Sequence, residues 1–264
     1  MTDNGSPHPM ARPDDLKRAL ADIDAWLFDL DGVLTDTARV HAAAWKTAFD
    51  EVLARHFEDE SGTFRAFDQV DDYERYVDGK PRSDGIRDFL SSRGLTLAEG
   101  RPSDSPDRET VWGVGNRKNA LVLERLAGEV TVFPGSVALV KRLRAARRRI
   151  AVVSASENCI AVLEATHITQ LFDVIVDGRI ARQSHLRGKP FPDTFLHAAS
   201  LLGVEPARAA VIEDAPAGVS AGHAGHFGLV IGVARSASAA TLTEMGADLV
   251  VKDLEEILDL APEP

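Results

Sequence analysis

The chain has one cysteine, Cys159, in 264 residues. An internal disulfide is therefore excluded, which fits a reducing compartment. No apolar run approaches the ~18 residues of a membrane span. The opening twenty residues, MTDNGSPHPMARPDDLKRAL, lack the apolar centre of a signal peptide, so a cytoplasmic protein is expected. Positive charge is in deficit: 30 Lys and Arg against 41 Asp and Glu leave a net charge of −11, which argues against nucleic acid as a partner. The nearest approach to a basic face is Lys141, Arg142, Arg144 and Arg147 to Arg149. These residues interleave with Val140 and Leu143, as on the solvated side of a helix. Internal repeats and long low-complexity segments are also missing. Small anionic ligands stay compatible with the composition, because a local pocket can be positive within an acidic protein.

What is present is a series of short apolar runs, each followed by a helical pattern. They are AWLFDLDG (25–32), IAVVSAS (150–156), FDVIVDG (172–178), AAVIEDA (209–215), GLVIGVA (228–234) and ADLVVKD (247–253). Strands this apolar are buried on both faces, as in a parallel sheet covered by helices. Between them, Phe195, Ala198, Ala199 and Leu202 share one helical face and Gly203 stands where a C-cap belongs. Residues 38 to 128 differ: Trp45, Ala48, Phe49, Val52 and Leu53 recur at helical spacing, no strong strand run occurs, and TLAEGRPSDSPDRET (96–110) reads as a loop. The expected fold is an α/β protein with a Rossmann-like doubly wound parallel sheet. Residues 21–37 and 129–264 would form this core, 38–128 an inserted α-helical cap domain, and 1–20 a flexible tail.

In an open parallel sheet, ligands bind beyond the carboxyl ends of the strands. There the sequence puts Asp29, Asp31, Ser154, Ser156, Glu213 and Asp214, with Lys189 in the nearby loop GKPFPD. Taken singly, each has an ordinary explanation as a turn, cap or surface residue. Together, the acids would repel one another unless a cation lay among them. A calcium-binding hand is excluded, since Val33 and Leu34 stand where that loop needs an acid or amide and a glycine. Phosphoryl transfer fits better. Mg²⁺ takes oxygen ligands, one carboxylate can act as nucleophile, and a second two residues away can serve as general acid and base.

The set DLDGV (29–33), SAS (154–156), GKP (188–190) and ED (213–214), in this order, resembles the haloacid dehalogenase superfamily of phosphotransferases from about residue 23 onward. The resemblance implies Asp29 as the nucleophile that becomes an aspartyl-phosphate and Asp31 as the acid/base. It implies phosphate binding by Ser154, Ala155 and Lys189, and one Mg²⁺ held by Asp29, Asp31, Glu213 and Asp214. Within that superfamily the chain is similar to the β-phosphoglucomutase branch through Thr37, His41 and Trp45, Arg82 with Asp84, RKN at 117–119, Ser156 with Asn158, and FPG at 133–135.

That likeness implies a cap arginine, Arg82, gripping the phosphate that is not transferred. Lys118, Asn119, Gly79, Thr37, Ser156 and Asn158 would line the substrate, and His41 would support the acid/base. Where the mutases carry a lysine before the cap-loop glycine, this chain has Asp78, with Lys80 one residue beyond Gly79. Trp45 reads as cap packing and Cys159 as a small buried hydrophobe. The activity implied is conversion of β-D-glucose 1-phosphate to glucose 6-phosphate through a bisphosphate intermediate, with a bisphosphate sugar as primer. The alternatives are an Mg-dependent phosphatase acting on a sugar phosphate or similar metabolite, and a non-catalytic binder on the same scaffold. The expected partner is a small phosphorylated sugar, with no membrane and no nucleic acid, and a monomer is expected.

Overall fold

The computed structural model describes residues 13–57, 65–126, 130–235 and 237–263. The chain runs through α1 (Pro13–Ala21) and β1 (Ala25–Phe28), then leaves the sheet for α2 (Ala38–Phe57), a π-helical turn (Tyr73–Val77), α3 (Arg82–Ser92) and α4 (Val111–Leu126). It returns through α5 (Pro134–Ala145), β2 (Arg149–Val153), α6 (Cys159–Ala165), β3 (Val174–Val176), α7 (Gly178–Gln183) and α8 (Asp193–Leu202). The last elements are β4 (Ala209–Glu213), α9 (Pro216–Ala224), β5 (Leu229–Val233), α10 (Ala239–Glu244), β6 (Leu249–Val251) and a 3₁₀ turn over Leu254–Leu260.

The six strands pair in parallel in the order β3-β2-β1-β4-β5-β6. Register follows from two-sided burial. Leu27 lies between Ala151 and Val211, and every residue of β1, β4 and β5 is buried. Successive residues serve opposite cores. Trp26, Phe28, Val152 and Ile212 pack against Leu20 of α1, Leu139 and Leu143 of α5, and Cys159 of α6. Leu27, Val153 and Val211 pack against Phe195 of α8, Val219 of α9 and Leu242 of α10. A one-residue slip would exchange the two sets, so the double-sided pattern pins the register. Each fully buried Leu or Phe contributes about 1.5–3 kcal/mol. The expected doubly wound sheet is thus the fold observed, including the αL C-cap at Gly203. The basic run around α5 lies over Val140 and Leu143, which are fully buried.

One expectation fails in part. The segment 1–20 was to be a flexible tail, yet Pro13–Ala21 is helical and buries Leu16 and Leu20 in the sheet's first core. The two leucines sit one helical turn apart, and that short apolar stripe is enough to dock the helix. The rest of the expected tail, 1–12, lies outside the described residues.

The helices that interrupt the sheet build their own core around stacked rings. Trp45 and Phe49 stack at 4.8 Å, Phe49 and Phe89 lie 4.2 Å apart, and Phe67 closes on both Phe49 and Phe89. The two crossings between this unit and the sheet run side by side. Asp36 N–H donates to Thr131 O at 3.0 Å, and Phe133 N–H to Leu34 O at 3.0 Å. The loop 96–110 carries no regular element beyond a bridge between Ala98 and Thr110, and the Asp104 carboxylate ties it together by accepting from Thr110 Oγ1 at 2.7 Å.

Candidate active site

Asp29 is the first residue past β1, and its N–H still donates to Ile212 O of β4 at 3.0 Å. Ser154 follows β2 in the same way, and Glu213 and Asp214 sit at the end of β4. The strand order reverses at β1, so these ends share the crevice where the connections part to opposite faces. Past Asp29 the backbone turns back at Gly32 (φ +88°), and a Cβ there would overlap the Asp214 carboxylate. Glycine is required at this position both for conformation and for space.

Lys189 is the pivot of the charge arrangement. It is buried, with its ammonium 2.5 Å from Asp29 Oδ1 and ion-paired to Glu213 Oε1. Burial alone would lower the Lys189 pKa, but Asp29 and Glu213 outweigh it and hold the ammonium charged well above the usual range. Five buried or nearly buried carboxylates, Asp29, Asp31, Asp78, Glu213 and Asp214, feel this ammonium, and Asp31 also feels Lys118. Burial pushes Asp29 up to about 6 against the pull of Lys189, and Glu213 up to about 7 for the same reason. Asp214 is raised by burial and then by Asp78, Glu213 and Asp29. Asp31 is raised by burial, opposed first by the Thr37 hydroxyl that donates to its Oδ1.

Asp29, Glu213 and Asp214 each offer a carboxylate oxygen within 4.8 Å of the others, all buried. A single ammonium cannot neutralise this set, and all the donors are hard oxygens of the kind a small divalent cation takes. Glu213 is aimed by the backbone, since the N–H groups of Asp214 and Ala215 donate to its Oε2 at 3.1 and 3.2 Å. The arrangement therefore fits a metal ion. Asp31 is not in this triplet. It faces the other way, toward the helical unit.

On that side, Asp31, His41, Trp45, Lys80, Arg82, Lys118, Ala155, Ser156, Glu157 and Asn158 enclose a small cavity of about 50 Å³. Lys118 Nζ lies 3.1 Å from His41 Nδ1, and His41 Nε2 is 3.7 Å from Asp31 Oδ1. When Lys118 is protonated it can only donate, so Nδ1 then accepts and the imidazole proton sits on Nε2, toward Asp31. Burial, then Lys118 and Arg82, keep His41 neutral. Burial and then Arg82 bring Lys118 down to about 7 against the pull of Asp31. Asn119 Oδ1 accepts from Asn158 Nδ2 at 2.8 Å, joining α4 to the loop after β2. Every residue expected at the site therefore lies in the crevice or along its seam with the helical unit.

Trp45 does more than pack: it stacks on Phe49, and Lys118 Nζ stands 5.0 Å from its ring at the cavity wall. Lys80 lines the same cavity, but its ammonium is engaged by Asp88 at 2.6 Å. Asp78 reaches the sheet side instead. The π-helical turn ends there, Gly79 takes φ +67°, and the loop presses onto Ala215 and Ala217. Among the described residues Asp78 Oδ2 is buried without a hydrogen-bond partner, and burial, then Glu213 and Asp29, push this carboxyl up to about 8.

Two groups escaped the sequence reading altogether. Glu157 accepts from Arg82 Nη2 at 2.9 Å through Oε2 and from Arg182 through Oε1. Glu157 falls inside SASEN and Arg182 in a surface-like helix, so only their meeting with Arg82 marks them.

The haloacid dehalogenase-like hydrolase family matches residues 23–226. A β-phosphoglucomutase of Mycobacterium tuberculosis is 49% identical over 240 residues, covering 89% of this chain and 92% of that protein. The crystal structure of a β-phosphoglucomutase from Clostridium difficile superposes with a TM-score of 0.72 at 27% identity, covering 89% of this chain and 93% of the other. A validoxylamine A 7'-phosphate phosphatase of Streptomyces hygroscopicus is 30% identical over 237 residues, covering 88% of this chain and 94% of that protein.

Proposed function

The chain belongs to the haloacid dehalogenase-like hydrolase family and is an enzyme of phosphoryl transfer, and from that premise we propose that it is a β-phosphoglucomutase. It converts β-D-glucose 1-phosphate to glucose 6-phosphate, with Mg²⁺ held by Asp29, Glu213 and Asp214 and the Asp31 backbone. The observation that carries this reading is a second cationic site: Arg82 and Lys118 line the small cavity together with Asp31, and Lys189 does not line it. A phosphatase needs one phosphate site; a mutase working through a bisphosphate needs two.

In this mechanism Asp29 Oδ attacks phosphorus and becomes the aspartyl-phosphate. Lys189 and the Ser154 hydroxyl hold the phosphate oxygens beside it, with the backbone at Ala155. Bound Mg²⁺ supplies charge neutralisation between the phosphate and the carboxylates. Asp31 gives its proton to the leaving oxygen and takes one from the attacking hydroxyl. Thr37 fixes Asp31 Oδ1, and the neutral His41, backed by Lys118, presents Nε2–H toward the same oxygen. Arg82, with Ser156, Asn158 and Asn119, holds the phosphate that is not being transferred. The guanidinium's planar fork suits that task. The seam over the crevice excludes water from the phospho-enzyme.

The test is to supply β-glucose 1-phosphate, Mg²⁺ and a bisphosphate sugar primer, and to follow products. Glucose 6-phosphate without free phosphate is the expected outcome; stoichiometric release of free phosphate would overturn the reading. The second reading, a sugar-phosphate phosphatase, is favoured by one observation. Arg82 is already engaged by a carboxylate, Glu157, rather than standing free for a second phosphate.

A further inference from the structure

Arg82 lies against the Gly115 backbone, its side chain is only 16% exposed, and a Cβ on Gly115 would collide with it. A guanidinium this enclosed is costly without an anion, and burial lowers its pKa before Glu157 restores part of it. The anion it has belongs to the other half of the molecule. Glu157 stands in the loop after β2, 26% exposed, with one oxygen on Arg82 and the other on Arg182 of α7. Arg182 in turn faces the Trp112 ring at 5.6 Å and is 45% exposed. The Arg82–Glu157–Arg182 bridge separates the small cavity beside Asp31 from a larger one of about 360 Å³ bordered by Trp112, Leu186 and Phe191.

We propose that Glu157 is an affinity-setting residue: a carboxylate on the loop after β2 that occupies Arg82 until a ligand's phosphate displaces it. The inference rests on the reading of Arg82 as the holder of a second phosphate. Glu157 can give up Arg82 without becoming an unpaired charge, because its other oxygen stays on Arg182. A dianionic phosphate entering the small cavity outcompetes one carboxylate oxygen for the guanidinium's donors. A ligand whose distal end is neutral offers no such exchange, so it meets a closed ion pair. Glu157 thus weakens phosphate binding at Arg82 by competing for the guanidinium, and so keeps that phosphate exchangeable. It is a positioning residue that acts through Arg82 and takes no part in the bond changes.

The experiment uses the full chain carrying Asp29→Asn, which cannot turn over, and titrates it calorimetrically with glucose 1,6-bisphosphate in Mg²⁺. Adding Glu157→Gln keeps size and hydrogen bonding but removes the competing charge, and affinity should rise about fivefold. Glu157→Asp, which keeps the charge, should bind more weakly than Glu157→Gln and close to the Asp29→Asn parent. In the otherwise unaltered enzyme, Glu157→Gln should lower KM for β-glucose 1-phosphate more than it changes kcat. Equal or weaker bisphosphate binding by Glu157→Gln, or a gain shared by Glu157→Asp, would overturn the proposal. Absence of glucose 6-phosphate with the unaltered enzyme would count against the mutase reading instead, while the binding ratio still decides the role of Glu157.

Discussion

The two walls of the crevice hold their charges in different ways. On the sheet side, Asp29, Glu213 and Asp214 extend directly from strands whose every residue is buried, Ser154 follows β2, and Lys189 is locked between two carboxylates. On the helical side, Arg82, Lys80 and Lys118 ride on helices and a loop and are held by side-chain partners: Glu157, Asp88 and His41. A backbone ladder on both sides fixes the strand-end groups, so that wall suits bond making. The charges of the other wall are held by side-chain partners rather than by strand ends, so that wall suits recognition. The same sheet wall can serve a mutase or a phosphatase, and the difference between them is sought in the helical one.

The comparison can be broken most severely at the sheet wall. Asp29→Asn should abolish phospho-enzyme formation and every phosphoryl-transfer activity, a loss of at least about 10⁴-fold read by rapid-quench labelling; retained turnover would end its assignment as nucleophile. At the helical wall, Arg82→Ala should lower kcat/KM for β-glucose 1-phosphate about 10²-fold through the lost charge-assisted contacts, and hydrolysis of 4-nitrophenyl phosphate by far less. Equal losses on both substrates would mean that no second phosphate is held there.

Removing Phe49 from the ring stack should loosen the helical unit by about 3–5 kcal/mol. Chemical denaturation is expected to resolve this as an earlier transition of that unit, with the sheet's own transition little moved.

The smallest effect is on pH dependence. With no divalent cation added, Asp78, raised to about 8 by burial and then by Glu213 and Asp29, binds a proton in the folded state that the unfolded chain releases near the ordinary value of 3.8. Its stabilisation is complete below that value and is lost as pH rises through about 8. Asp29 near 6 and Glu213 near 7 have the same sign. Lys118, lowered to about 7, has the opposite sign and acts between there and its usual value of 10.5. Thermal unfolding should therefore shift to lower temperature between pH 5 and 8, and Asp78→Asn should flatten that slope. An unchanged slope would place Asp78 outside the charge cluster.

The strands were legible because two-sided burial leaves unbroken runs such as AAVIE and AWLF, and strand-end chemistry was legible because it follows those runs at once. Gly32 could be read as a sharp turn, although the collision with Asp214 that requires it is visible only in space. The short α1 was missed, since a stripe of two leucines in a polar segment is too brief to separate from a tail. Glu157 and Arg182 were missed for another reason. Nothing in SASEN or in GRIARQ distinguishes a carboxylate that closes on a residue 75 positions away from one that faces water.

Asp78 marks the boundary between the two kinds of information. Its identity and its place before Gly79 are written in the sequence. That it enters a nest of acids follows from the wide π-helical turn and from how α2, α3 and α4 settle on the sheet. The sequence by itself determined the sheet, its order of motifs and the candidate reacting groups, because burial and strand ends are local signals. Which charge meets which across the seam was decided by tertiary structure alone, because long-range ion pairs leave no periodicity in the chain.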